Sequence, residues 1–520
     1  MTRAAARIFP LLCLTLAVAG FGARAAVALS AHDLLDWDET YYASTTSTAA
    51  HGIGLYPYIL GYPRIHDMGG VGYVMLLFVV AYKVAGPSLV PLRVVSLIAS
   101  AAAVAGMTML TLRIHGRAAA LAAMALTPSL VIFRLSNTIR MDVFAIAFVA
   151  WALVLYWHAT TRGQATRSHL VVGIVFALGL EVHLHTAAAA FAVGCAYLAA
   201  SVREPHDKRG AAKKLAAFVS GYAVGALVFL ALNVLPDTHA YFRTAALARL
   251  SAVESSGNLN LTAPMDGGRL AQTFLSPGVI VHKEIERYRT MAGQIPAWEA
   301  LLWLLAVPTY LVIRRSDGPY PPRLLLIAAA VGGGIVFNSG SPLYWAAIMP
   351  FFVPAAATLV ANGFDLRRDG AAQRISLTAT VVAILLSVAI LPGTLARATN
   401  ALKNARTRTE SEPSIVAVVK RKAGPDCILA GPSDLYAAYF MGYPRFVGTR
   451  RVEVLIGSTY YDLQNDLPAY WREKRPDLVF GPRDKGLDEY LAQERYVAAG
   501  ESIWTTTGDV SPGCTIRDSR

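Results

Sequence analysis

Apolar runs of membrane-spanning length recur along most of this chain, and they leave few folds open to it. Eleven stretches read as helices able to cross a bilayer: residues 8–29, 89–112, 118–135, 142–158, 169–182, 184–202, 215–235, 298–313, 323–337, 342–362 and 375–392. A hydrocarbon core about 30 Å thick takes about 20 helical residues, and a helix satisfies its own backbone there. Of 520 residues, 55% are hydrophobic and only 16% charged, which is too apolar for a soluble chain of this size. The expected fold is mainly α, a polytopic membrane helix bundle.

The formal charge of +13 does not point to nucleic acid, because the Lys and Arg residues are dispersed among short connections between apolar runs. Those connections alternate in charge. Arg3 and Arg7, Arg113 to Arg117, Arg162 to Arg167, Arg203 to Lys214, Arg314 to Arg323 and Arg367 to Arg374 mark the basic ones, which the positive-inside rule assigns to the cytoplasm. Segment 71–86 is apolar but short, carries Lys83 and ends at Gly86-Pro87. If it spanned, every later basic loop would fall outside, so it reads as an interfacial or re-entrant helix on the outer face. Loops 30–88 and 236–297 and the tail from about 393 then lie on the exterior side. The first run also resembles a secretory signal peptide, whose cleavage would leave the later topology unchanged.

The sequence changes character after residue 395. Short β-like stretches at 427–431, at 477–482 and from 496 alternate with amphipathic helical ones around 434–441, 462–474 and 487–494, which predicts a small α/β domain over 396–520 beyond a transmembrane domain over 1–395. Its aromatic residues, among them Tyr436, Tyr443, Tyr470 and Trp471, read as core before they read as a glycan-stacking surface. Cys13 and Cys195 lie in apolar runs, whereas Cys427 and Cys514 share this polar region. A disulfide between the latter two requires that it be extracytoplasmic.

Topology accounts for the basic loops, which leaves the ionisable residues at exterior span ends to be explained. Asp36, Asp38 and Glu39, Arg64 and His66, Arg134, Arg140 and Asp142, and Glu181, His183 and His185 are the main ones. Charge at mid-bilayer is expensive, by about 2.5–3.5 kcal/mol on insertion scales, so such residues line a polar cavity or reach the interface. Each has a plainer reading. Asp38 serves equally as a helix N-cap with Glu39 in the first turn. His183 and His185 are a weak metal pair without a third nearby ligand, and read first as interfacial hydrogen bonding. Arg134 and Arg140 either snorkel to headgroups or, against the positive-inside bias, meet an anionic ligand.

These residues stand in segments that resemble the GT-C glycosyltransferases, in particular the bacterial branch related to dolichyl-phosphate-mannose protein mannosyltransferases and to the lipid A aminoarabinose transferase. WDETYYA at 37–43 is similar to the family's Asp-Glu motif. The resemblance continues through GLYPYILGYPRIHDMGGVGYVMLLFVVAYKVAG, Arg93 in GPSLVPLRVVSLIAS, RLSNTIRMDVFAIAFVAWAL, GLEVHLHTAAAAF and NSGSPLYWAAIMPFFVP, covering roughly residues 8–395. One departure is plain: where the family has a basic residue or histidine followed by Pro-Pro, this chain has Arg64, Ile65, His66, Asp67 and Met68.

The resemblance implies an inverting transfer of a sugar from a polyprenyl-phosphate donor to an acceptor hydroxyl on a lipid, glycan or protein, at the exterior face of the cell inner membrane. It implies that Asp38 is the general base and that Glu39 orients the acceptor or holds a neighbouring base. Arg134, Arg140, His66 and Tyr344 are the candidates for the donor phosphate, with Asp36, Arg64, His183 and His185 as further pocket residues. Cations can take the charge of a departing lipid phosphate without an obligatory metal, so no cofactor is expected, with a divalent metal as the open alternative. Two readings from other classes compete: a multi-span secondary transporter, and a non-catalytic membrane scaffold. Neither an internal repeat nor a transporter-like loop pattern is visible in the sequence.

Overall fold

The computed structural model describes residues 3–30, 37–52, 72–126, 139–161, 165–203, 208–235, 322–336, 347–362, 413–432, 436–449, 471–472, 474–481, 485–494 and 496–517, with a few isolated positions besides. Its helices follow the apolar runs. Helix α1 (Arg3–Ser30) is followed by α2 (Trp37–Ala50), α3 (Gly72–Ala85), α4 (Leu89–His115) and α5 (Arg117–Leu126). Then come α6 (Asp142–Thr161), α7 (Thr166–Leu178), α8 (Ala187–Arg203), α9 (Lys208–Phe229), α10 (Pro322–Val336) and α11 (Met349–Asn362). Among the described residues, five helical stretches are long and apolar enough to cross a membrane: Pro10–Ser30, Leu89–His115, Asp142–Thr161, Leu184–Val202 and Lys208–Val234.

Several expected boundaries move. Within the run at 118–135, helix α5 ends at Leu126 and the remainder lies outside the described residues, as do 298–313 and 375–392. The run at 169–182 is a helix only to Leu178 and then tightens into a 3₁₀ turn, Gly179–Glu181. The run at 215–235 starts earlier, at Lys208, and closes in a π-helical turn, Leu230–Val234. Segment 71–86 forms α3. One face of it is buried through Val74, Met75, Phe78 and Tyr82, while Leu76, Leu77, Val80 and Val84 are exposed.

Small residues set how closely the helices approach. A Cβ at Gly173 in α7 or at Gly221 in α9 would collide with the opposing backbone, at the Phe218 carbonyl and the Leu170 carbonyl respectively. Without that clearance the α7–α9 crossing could not form. Helix α4 is the bundle's central strut: Ser88 caps its start, and Gly116, at φ +87°, ends it by returning its N–H to Leu112. Trp151 of α6 donates to the Ala102 carbonyl of α4 at 3.0 Å. Arg24 of α1, buried, donates to Ser100 of α4 at 3.0 Å. The bundle core runs from Cys13 and Leu16 through Ala103, Met107 and Ile146 to Ala356.

Beyond the bundle, the described residues form a five-stranded sheet of order β2-β1-β3-β5-β4, made by β1 (Leu429–Gly431), β2 (Phe446–Gly448), β3 (Leu478–Phe480), β4 (Tyr496–Gly500) and β5 (Ile503–Thr506). Strand β1 pairs in parallel with β2 and β3, and β5 runs antiparallel to β3 and β4. Helices α12 (Ser414–Lys422) and α13 (Lys485–Gln493) accompany it. Asp477, buried, ties two loops together by accepting from the backbone of Ile428 and Ser511, each at 2.7 Å. Cys427 and Cys514 are joined as a disulfide. The sheet does not stand apart: Phe440, Met441, Phe446 and Phe480 share one apolar cluster with Tyr42, Val74, Phe78 and Tyr82 of α2 and α3.

Candidate active site

Helix α2 is unusual in composition. Ser44 to Thr48 are all hydroxyl residues, and the stretch from Tyr42 to Thr48 is buried throughout. The helix tolerates this because hydroxyls find partners close by: Thr46 donates to the Tyr42 carbonyl at 2.7 Å and Thr48 to the Thr45 carbonyl at 3.0 Å. Ser47 instead reaches out of the helix to the Met441 carbonyl, at 2.6 Å.

At the other end of α2 sits Glu39, fully buried. Arg93 of α4 grips its carboxylate through two parallel bonds, Nε to Oε1 at 3.0 Å and Nη2 to Oε2 at 2.8 Å. The Ile139 backbone N–H adds a third bond to Oε1, at 2.9 Å. Neither charged side chain is exposed to any degree. A buried ion pair holds only with such bidentate geometry and further hydrogen bonds. Glu39 therefore clamps α2 to α4 and to the segment that opens α6. Its carboxylate is thus occupied by a guanidinium and a backbone N–H.

One residue past Ile139, Arg140 donates from Nε to Asp142 at 2.7 Å, and both side chains are nearly buried. His183 and His185 lie in the turn between α7 and α8, with ring centroids 4.2 Å apart. His183 Nδ1 accepts the His185 backbone N–H at 3.1 Å. Burial holds the His183 imidazole below its ordinary value, with Asp142 acting upward and Arg140 downward. The π turn at the end of α9 brings Asn233 to Glu181, Nδ2 to Oε1 at 2.9 Å.

Five elements thus converge at one end of the bundle: the starts of α2, α4 and α6, the α7–α8 turn and the end of α9. Arg113, Arg117, Arg167, Lys208 and Lys214 lie at the opposite helix ends. Of the sequence-expected residues, the structure brings together Glu39, Arg140, His183 and His185. Asp38 lies in α2, directly before Glu39. Asp36, Arg64, His66, Arg134 and Tyr344 lie outside the described residues. Arg93 was visible in the sequence as a lone cation near the start of an otherwise apolar run, yet nothing there disclosed that its partner is Glu39. Among the described residues, Cys427, Asp477 and Cys514 form a cluster of metal-ligand type, but its two sulfurs are spent on each other in the disulfide.

Comparison with known proteins agrees with this architecture. The family model of dolichyl-phosphate-mannose-protein mannosyltransferase matches residues 73–236. The fold is similar to that of ArnT from Cupriavidus metallidurans bound to undecaprenyl phosphate, with a TM-score of 0.56 at 12% identity over 97% of this chain and 98% of that one. It is also similar to the oligosaccharyltransferase of Archaeoglobus fulgidus in complex with Zn and sulfate, with a TM-score of 0.50 at 14% identity over 90% of this chain and 67% of that one. The same archaeal enzyme, AglB, in complex with an inhibitory peptide and a dolichol-phosphate, gives a TM-score of 0.50 at 12% identity over 90% and 69%. No curated protein matches by sequence. The chain has the fold of the GT-C glycosyltransferases, a multi-pass membrane helix bundle with a small C-terminal sheet region.

Proposed function

We propose that this protein is an inverting glycosyltransferase that takes a sugar from a polyprenyl-phosphate carrier and passes it to an acceptor hydroxyl at the exterior face of the inner membrane. The observation that carries the reading is the clamp on Glu39. A buried, bidentate Arg93–Glu39 pair with a third bond from Ile139 is an expensive way to fix the start of one helix. What it fixes is the position of Asp38. The lipid phosphates bound by the two solved relatives, undecaprenyl phosphate in ArnT and dolichol-phosphate in AglB, support a lipid-linked donor for this chain.

In this mechanism the Asp38 carboxylate removes the proton from the acceptor hydroxyl as its oxygen bonds to the anomeric carbon. The bond from that carbon to the lipid phosphate oxygen breaks on the opposite face, which inverts the centre. The polyprenyl phosphate departs with the electron pair and its charge. Arg140, oriented by Asp142, is our candidate for that charge; Arg134, His66 and Tyr344, the other candidates from the sequence, lie outside the described residues. Glu39 acts through Arg93 and α2, without touching substrate. On this reading the cations can take the charge of the departing phosphate without an obligatory divalent metal.

On this reading the C-terminal region, 396–520, lies outside the cytoplasm. Its disulfide fits an oxidising compartment. The function is tested with the purified full chain in vesicles, supplied in turn with polyprenyl phosphates bearing mannose, aminoarabinose and arabinose, with donor consumption followed by mass spectrometry. Transfer from one of them supports the reading. Failure to consume any of them, with cell-envelope extract supplied as acceptor, removes its support.

A further inference from the structure

The Met441 carbonyl accepts two side-chain hydrogen bonds, one from Ser47 Oγ of α2 and one from the Tyr82 hydroxyl of α3, each at 2.6 Å. Ser47 Oγ and the Tyr82 hydroxyl are themselves 3.5 Å apart, so three groups from three segments meet at one oxygen. All three are buried. Met441 belongs to the turn that follows the 3₁₀ segment Ala437–Phe440, between β1 and β2. That turn is anchored in the sheet by Phe440, which stacks on Phe446 with centroids 5.4 Å apart and lies 5.3 Å from Phe480. The soluble region thus holds α2 at the end opposite the Glu39 clamp. Helix α2 has 14 residues, and a helix that short is held in place by its contacts rather than by its own stability.

We propose that Met441 and its turn are a positioning element for the reaction centre: with Ser47 and Tyr82, they form a second clamp on α2 that sets where Asp38 stands. Two fixed ends define the helix axis. With the Glu39 clamp alone, α2 could pivot about its first turn, and the base at position 38 would move relative to the acceptor. A misplacement of about 1 Å is enough to cost on the order of a hundredfold in rate. The soluble region is on this view part of the catalytic apparatus. This inference rests on the glycosyltransferase reading above.

The test uses the full chain carrying Ser47→Ala and Tyr82→Phe together, which removes both donors and keeps the sheet and its disulfide intact. Hydrogen exchange over residues 37–50 and transfer kinetics are measured on the same preparations. The expected result is faster exchange over 37–50, kcat lowered about tenfold or more and KM for the donor unchanged. A purely structural role would lower only the folded fraction, leaving kcat per folded molecule as it was. Unchanged exchange overturns the clamp, and accelerated exchange with unaltered kcat overturns its link to Asp38. If the unmodified chain transfers no sugar from any donor, the glycosyltransferase reading falls and takes this inference with it; an active parent beside an unaltered variant sinks the inference alone.

Discussion

Arg93 holds Glu39 across the interior of the protein, guanidinium to carboxylate, through bonds of 3.0 and 2.8 Å with neither side chain exposed. The two residues lie 54 positions apart in the chain, so the pair is a tertiary constraint and not a local one. Taking both charges out of water is costly, and the geometry offsets that cost only while both partners are present. Arg93→Leu should therefore destabilise the fold by about 3–5 kcal/mol, because it strands a buried carboxylate. Glu39→Gln should do the same to the guanidinium, and the double variant should lose less than the sum of the two. Thermal unfolding in detergent, compared across the four chains, checks both the size and the non-additivity.

The α7–α9 crossing gives a second expectation. A Cβ at Gly221 meets the Leu170 carbonyl, which is backbone and cannot swing away. Gly221→Val should cost about 1–3 kcal/mol by overpacking, whereas Gly22→Val, where nothing lies within 4 Å, should cost little. The fraction of each variant that stays monodisperse after heating separates the two.

Acidification should act through His183. Burial depresses its folded pKa, so the folded chain keeps the ring neutral at a pH where an unfolded chain already takes up a proton. The stability contributed is present above an unfolded value of about 6.5 and is lost as pH falls below it. His183→Asn should flatten the fall in melting temperature between about pH 7 and pH 5. Equal slopes for the two chains would remove His183 from the account.

Reduction should loosen the sheet region and spare the bundle. The Cys427–Cys514 bond closes a long segment, with 87 residues of separation, and breaking such a link costs about 2–5 kcal/mol. Limited proteolysis with and without reductant should show earlier cutting within 413–517 and unaltered protection of α4 and α6. The Cys427→Ser and Cys514→Ser variants should reproduce the reduced pattern.

The bundle could be read from the sequence because a membrane helix announces itself locally. The run at 89–112 needs no partner to be recognised, and α4 follows it to within three residues. Helix α2 is the opposite case. Its core of Ser44 to Thr48 looks like a surface turn, and it is buried in the fold, where α3 packs on α2 and the Met441 turn meets Ser47. Strand β2 and helix α12 were missed although β1 and β3 are as short as the one and α13 as short as the other, so length does not account for the difference. At the site, the Asp38-Glu39 pair was legible as a motif whose resemblance implies two different roles, and the anchoring of Glu39 was not. It lies in the Arg93 and Ile139 contacts to Glu39, from other elements of the fold.

Replacing Asp38 by Asn tests the central claim most directly, since it removes the base while keeping size and leaving the Glu39 clamp in place. Transfer from the polyprenyl-phosphate donor that the unmodified chain consumes should fall by about 10²–10⁴. Binding of polyprenyl phosphate and the melting temperature should stay as they were. Transfer retained within a few-fold of the unmodified chain would contradict the assignment of Asp38 as the base.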